Sequence, residues 1–312
     1  MTTVLVLGGY GAVGRHLVAR LWQDGHVALT AGRDAARADR PIDLAQPDLR
    51  SYLSALVGID VVVNASGKED PRLAELATAQ GAAFVDITAT TSYVTALERL
   101  DPPRPVLLSV GLAPGLTNLL AAAVHRAAPG PIDVAVLLGA GERHGPAATE
   151  WTYRLLGRRF HHDGAAVRNF AGSRRFDLPG HGRRRLYRLD FSDQHTLTRD
   201  LGVRTRTYFG LDSRSATAAL AALTWVPGGS HAPRGLRVPG GDHWLVLARG
   251  HDGTTRWARG RDQSRGTAII AAAAVGLVTG LPPGTHHLHN GLDLRDLPTG
   301  QGIELDTPLP AR

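Results

Sequence analysis

The run Thr3-Val4-Leu5-Val6-Leu7 is apolar at nearly every position and then gives way to Gly8-Gly9-Tyr10-Gly11-Ala12-Val13-Gly14. A continuous apolar stretch that stops at glycines predicts a parallel strand buried on both faces. Behind the glycines, Val13, Leu17, Val18 and Leu21 recur at helical spacing, so the order is strand, turn, helix. The alternation then continues. Residues 26–31, 61–64, 82–88, 105–110 and 132–138 read as further strands, and Leu73, Leu76 and Ala77, then residues 116–126, as helices. Strands alternating with helices predict a doubly wound parallel sheet with ligands outside the strands' carboxyl ends.

After Gly139 the pattern changes to short strand-like runs, Gly-Pro turns, aromatics and arginine. Residues 186–191, 205–211, Val238 and 244–248 read as strands of an antiparallel sheet with one face open to a cleft. Residues 213–223 read as a helix. Residues 267–278, nearly all Ala, Ile, Val and Leu, predict a buried helix too short to cross a membrane. The stretch 282–312, rich in Pro and Gly, predicts an extended arm lying on the body or on a partner subunit, so a homodimer is expected. The resulting division is 1–140 for dinucleotide binding, 141–265 for substrate, and 266–312 as a helix and tail returning to the first domain.

The strand–turn–helix context gives the glycine turn chemical meaning. Gly9 permits the tight turn, Gly11 lets backbone approach a pyrophosphate, and Gly14 lets the helix pack against the strand. Tyr10, Ala12 and Val13 complete this loop. A carboxylate on the ribose 2′-hydroxyl would mark an NAD site, but the second strand runs into Gly32-Arg33-Asp34. Arg33, with Arg15 after Gly14, favours a 2′-phosphate and hence NADP(H). Asp34 either caps the next turn or is itself the ribose ligand. The strand ends place Asn64, Ala65, Ser66 and Gly67, Asp86 to Thr88, and Val110 and Gly111 around the cofactor.

Composition removes several alternatives. The 312 residues contain no cysteine, which excludes disulfides, thiol nucleophiles and zinc–cysteine sites. Lys68 is the only lysine, and the residue four before it is Asn64, so the Tyr-x-x-x-Lys pair of short-chain dehydrogenases is impossible. The first strand follows no charged leader and no apolar run is long enough to span a bilayer, so a cytoplasmic protein without membrane attachment is expected. The formal charge of +7 is uneven: residues 1–140 hold 11 basic and 13 acidic groups, whereas 151–210 hold 13 Arg and 5 Asp. That block reads as a solvated face or as an anion-binding cleft for a carboxylate substrate, with Arg154, Arg158 and Arg188 as clamps. Its aromatics alternate as sheet positions do, so no nucleic-acid partner is expected.

Four segments come in order at familiar spacings: Gly8 to Gly14, Val63-Asn64-Ala65, Phe84-Val85-Asp86-Ile87-Thr88, and Gly111-Leu112-Ala113-Pro114-Gly115-Leu116-Thr117-Asn118-Leu119-Leu120. Together they resemble the saccharopine dehydrogenase/reductase-like family of NAD(P)-dependent oxidoreductases, over roughly residues 3–125, with only a loose likeness beyond 140. The resemblance implies a fold of α/β class: a Rossmann-type doubly wound parallel sheet with an inserted α+β substrate domain built on an antiparallel sheet. It also implies chemistry at a C–N bond, imine to amine or the reverse.

Hydride transfer to such a substrate needs an acid or base for the attached nitrogen or oxygen. The candidates are Asp86, at a strand's carboxyl end, and Tyr187 and His195 in the second half, alongside His161, His162, Asp163, Asp190 and Asp193. His286, His287 and His289 have no carboxylate or cysteine at ligand spacing, so no metal is expected. These residues point to an NADP(H)-dependent reductase of a small imine or carbonyl compound, one that carries a carboxylate where the arginine block forms an anion cleft. A non-catalytic NADP(H)-binding regulator and a redox-neutral epimerase are the alternatives.

Overall fold

The computed structural model describes residues 1–141, 146–229, 240–298 and 301–306. They divide into two compact units. Unit 1 comprises Met1–Gly115 and Thr267–Leu292, and unit 2 the described residues of Leu116–Gly266 and Asp293–Arg312. This differs from the division 1–140, 141–265 and 266–312: residues 116–140 belong to unit 2, and so does the described tail from Asp293.

Unit 1 begins with β1 (Thr3–Leu7), α1 (Gly14–Gln23), β2 (Val27–Gly32), β3 (Arg40–Pro41) and α2 (Arg50–Ala55). It continues through β4 (Val61–Asn64), α3 (Arg72–Ala79), β5 (Ala83–Asp86), α4 (Thr91–Glu98) and β6 (Pro105–Leu108). The central strands are buried along their whole length, which is why they read as continuous apolar runs. Leu5, Leu7, Val62, Phe84, Tyr52 and Leu97 meet in one core on one side of this sheet.

The chain then enters unit 2 with α5 (Thr117–Ala127), β7 (Ile132–Leu138), α6 (Pro146–Leu155), β8 (Arg159–His162) and β9 (Ala165–Arg168). There follow β10 (Ser173–Leu178), β11 (Gly182–Arg188), α7 (Ser192–Leu201), β12 (Thr205–Leu211), α8 (Arg214–Leu223), β13 (His243–Gly250) and β14 (Thr255–Arg261). Val238, expected in a strand, lies outside the described residues. The helix α9 (Gln263–Val278) leads back to unit 1, followed by β15 (Gly284–His287) and α10 (Leu288–Gly291). Finally β16 (Ile303–Leu305) joins unit 2.

The sheet of unit 1 is wholly parallel, in the order β3-β2-β1-β4-β5-β6-β15. Strand order reverses beside β1, which makes the crevice at the end of β1 the topological switch point. The sheet of unit 2 runs β10-β11-β12-β7-β13-β14-β16. It is mostly antiparallel, but β12 and β7 pair in parallel at its centre, so it is mixed rather than purely antiparallel.

Two expectations are corrected. β7 was expected in the nucleotide sheet and instead sits at the middle of the second one, between β12 and β13. A run buried on both faces looks alike in either place, since apolar pattern reports burial and not partners. The extended arm contains β15, which completes the edge of the first sheet along β6. With Thr and two His in four residues, it carried no periodic signal.

The second sheet curls upon itself. Arg174 on β10 reaches Asp133 on β7, and Arg249 on β13 lies 4.8 Å over the Phe176 ring, although β11 and β12 separate β10 from β7. Phe176, Leu178, Leu186, Tyr208, Ala135, Leu137, Leu245 and Leu247 fill the space inside. The other face packs on α5 and α7.

Candidate functional site

The turn after β1 is shaped by what side chains it cannot hold. Gly8 has φ of +74°, a left-handed conformation that disfavours a Cβ, and a Cβ there would lie 2.9 Å from the Ala65 carbonyl oxygen. The left-handed residue of this turn is therefore Gly8 and not Gly9, which sequence reasoning missed. A Cβ on Gly14 would lie 2.1 Å from the Gly8 carbonyl oxygen, so only glycine lets α1 begin against this turn. Gly11 donates its N–H to the Gly8 carbonyl at 2.8 Å, and its own Cβ position lies 3.0 Å from that same oxygen. No side chain caps α1, so the positive end of its dipole is open to an anion.

Around the end of β2, Tyr10 lies so close to Gly32 that a Cβ there would stand 2.4 Å from its hydroxyl. The Tyr10 hydroxyl accepts from the Asp34 N–H at 3.1 Å, and the Arg37 guanidinium stacks 4.4 Å over the ring. Asp34 accepts from the Ala36 N–H at 3.0 Å, the turn-capping role of its two alternatives. Arg15 and Arg33 are exposed. Arg37, not singled out from sequence, joins them as a cation beside this strand end because its guanidinium folds back on Tyr10.

The next strand ends are occupied by their own hydrogen bonds. Register places Asn64 beside Asp86, and the Asn64 Nδ2 donates to Asp86 at 2.8 Å and to the Lys68 carbonyl at 3.0 Å. The Asn64 Oδ1 accepts from the Ser66 hydroxyl at 2.7 Å. Asp86, only 2% exposed, also accepts from the Thr88 N–H at 2.7 Å and from the Tyr93 hydroxyl at 3.2 Å. Burial pushes its carboxyl above the usual carboxylate range, against the pull of these donors. This is the geometry of a brace for the loops at the strand ends. The Ala65 backbone packs on Gly8, and Val110 is buried. A Cβ on Gly111 would stand 3.2 Å from the Pro114 carbonyl oxygen and 3.4 Å from Thr267.

At the far edge of the same sheet, the Ser109 hydroxyl pairs with His287 Nδ1 at 2.9 Å, and His287 Nε2 lies 2.9 Å from Glu98. Both Ser109 and His287 are buried. His286 instead turns to the Pro282 carbonyl, so the three histidines do not converge. Among the described residues, no group of three His, Cys, Asp or Glu is arranged to hold a metal.

In unit 2, His195 on α7 pairs with Asp190 at 2.8 Å and remains partly exposed. The His162 ring meets His195 edge-on at 5.2 Å, and burial together with Arg188 depresses its imidazole to about 4. Arg188 is buried between the Phe160 and Tyr208 rings and donates to Gln194 at 2.9 Å. Arg154 and Arg158 are exposed, whereas Arg188 is buried. Tyr187 is half-buried, in register with Phe209 on the face opposite Leu186. Asp193 is fully buried and accepts from the Thr207 hydroxyl at 2.7 Å, a structural contact.

The fold has counterparts among solved structures. Apo saccharopine dehydrogenase (L-Glu forming) of Saccharomyces cerevisiae superposes with a TM-score of 0.59 at 14% identity, covering 93% of this chain and 94% of that one. A meso-dapdh variant with DAP from Clostridium tetani gives 0.51 at 12% identity, covering 96% and 97%. Amine dehydrogenase of Mycobacterium smegmatis also gives 0.51 at 12% identity, covering 94% and 97%. At these identities the likeness is one of fold: a Rossmann-type parallel sheet joined to a second, mixed sheet. The model of the NAD dependent epimerase/dehydratase family matches residues 4–113, about a third of the chain and all of it within unit 1. No curated protein matches the sequence. Among the described residues, no helix is long and apolar enough to cross a membrane.

Proposed function

We propose that the protein is an NADP(H)-dependent oxidoreductase that interconverts a small imine or carbonyl compound with its reduced form, at a C–N bond in the first instance. The observation that carries this reading is the Gly8–Gly14 turn, where Cβ-free positions bring backbone N–H groups and the start of α1 to the switch point of a parallel sheet. That cradle suits a pyrophosphate. The dehydrogenase folds with which more than nine-tenths of the chain superposes support the C–N assignment, since two of them are named for amine or amino-acid substrates.

When bound, a nicotinamide would supply hydride chemistry; the chain supplies binding, orientation and a proton. Gly9 to Gly14 hold the pyrophosphate, and Arg33, with Arg15 and Arg37 near it, takes the 2′-phosphate. Asn64 and Asp86 act as positioning residues, locking Ala65, Ser66 and Thr88 at the rim. Proton transfer falls to His195, because it is partly exposed and its imidazole is oriented by Asp190. Tyr187 is the second candidate.

Fluorescence titration tests the cofactor reading. NADPH should bind about tenfold or more tighter than NADH, and Arg33→Asp should reverse the order. Equal affinities, or no response to Arg33→Asp, would reject NADP(H). Steady NADPH consumption with a panel of cyclic imines and oxo acids tests the chemistry, and His195→Gln should lower kcat while leaving NADPH affinity unchanged. The family-model match over 4–113 favours a second reading, a redox-neutral epimerase, which would turn over substrate without net loss of NADPH.

A further inference from the structure

At one end of the second sheet, where β7 starts at Ile132, β12 at Thr205 and β13 ends at Gly250, a cavity of about 460 Å³ opens. Four arginines line it: Arg174, Arg204, Arg206 and Arg249. Register explains three of the charges. Arg206, Asp133 and Arg249 are direct cross-strand partners on β12, β7 and β13, so their side chains share one face. The curl of the sheet then carries Arg174 across from β10 to the same carboxylate.

The carboxylates present do not balance these cations. Asp133 is shared by Arg174 and Arg249, the latter at 3.9 Å. Asp163 serves both Arg204 and Arg206, at 3.4 and 3.6 Å. Among the described residues, four arginines of one concavity thus share two ion-pair carboxylates. Placing like charges side by side raises the energy of a fold unless an anion neutralises them, and Arg forks are suited to bidentate contact with oxyanions.

We infer that this cavity is a binding site for a doubly charged oxyanion, a phosphate monoester or a small dicarboxylate, held by Arg204, Arg206 and Arg249. It lies wholly within unit 2 and is separate from the glycine turn, so it stands whether or not the dehydrogenase reading does. Arg204 and Arg206 retain 46% and 32% exposure of their side chains, so replacing them should leave the fold intact.

Isothermal titration with inorganic phosphate, at ionic strength held constant with sodium chloride, tests the site on the full chain. Circular dichroism confirms that each variant is folded. The wild type should bind phosphate, Arg204→Gln/Arg206→Gln should weaken it at least about tenfold, and Arg104→Gln, an exposed arginine of unit 1 outside both sites, should leave this binding unchanged. Malonate competing as well as phosphate would identify the dicarboxylate form, and its failure to compete the phosphate form. Absence of phosphate binding, unchanged affinity in the double variant, or equal weakening in Arg104→Gln would overturn the proposal. So would binding restricted to heparin, which would mark a general polyanion face. Loss of NADPH affinity in Arg33→Asp bears on the cofactor alone, so the two readings fail separately.

Discussion

The two units treat polar groups at their strand ends in opposite ways. In unit 1, Asn64, Asp86, Ser109 and His287 are buried and bonded to one another or to nearby loops, and the surface offered to a ligand is mainly backbone. In unit 2, Arg174, Arg204, Arg206 and Arg249 outnumber the carboxylates that face them. A site made of backbone depends on what is absent, and any added side chain spoils it. A site made of guanidinium groups depends on what is present and tolerates conservative change poorly for a different reason, the loss of charge and fork geometry.

The strongest way to break this contrast is Gly14→Val. Its Cβ would fall 2.1 Å from the Gly8 carbonyl oxygen, so α1 must move. Urea unfolding should show a loss of about 3 kcal/mol, with dinucleotide binding abolished. Wild-type stability would mean that the turn is not tightly constrained.

Asp86→Ala should rank next. It leaves the Asn64 amide, the Thr88 N–H and the Tyr93 hydroxyl without their acceptor in a closed environment, at about 2 kcal/mol. Asp86→Asn, which keeps an acceptor oxygen, should recover part of this. If both variants keep full stability but lose turnover, Asp86 acts on the reaction and is no brace.

A smaller effect distinguishes unit 2. His162 is held near 4 in the folded chain against an ordinary 6.5, so the unfolded state takes up its proton first as pH falls. Stability therefore decreases as pH drops from about 6.5 towards 4, by about 1 kcal/mol after allowance for partial solvent screening. His162→Gln should flatten that part of the profile, measured by urea midpoints across the range. A profile unaltered by the substitution would place the titration elsewhere.

Local causes made unit 1 legible from sequence. The apolar run, the glycines and the helical spacing behind them lie within two dozen residues, and each reports a constraint set by its neighbours in the chain. What escaped was set by partners far away. Gly8 must lack a Cβ both for its positive φ and because Ala65, just past β4's end, crowds the position. Asp86 shows itself as a brace only once Asn64, 22 residues earlier, is in register beside it. β7 could not be assigned to its sheet, since burial on both faces specifies a central strand but not which sheet. The arginine block was visible as a charge excess, yet Arg249, outside that block, meets Arg206 only through Asp133 on the strand between them.

The placement of β15 has a consequence for how the chain is made. Unit 1 is discontinuous: its edge strand at Gly284–His287 pairs with β6 at Pro105–Leu108, and the residues of unit 2 come between them in synthesis. As the chain leaves the ribosome, the nucleotide sheet has an open edge at β6 until residue 287 has emerged. An unpaired, apolar strand edge is a template for wrong pairing, and contacts this distant in sequence form slowly. A fragment ending at residue 140 would keep that edge permanently, and a shield for β6 must be designed into any attempt to produce unit 1 alone.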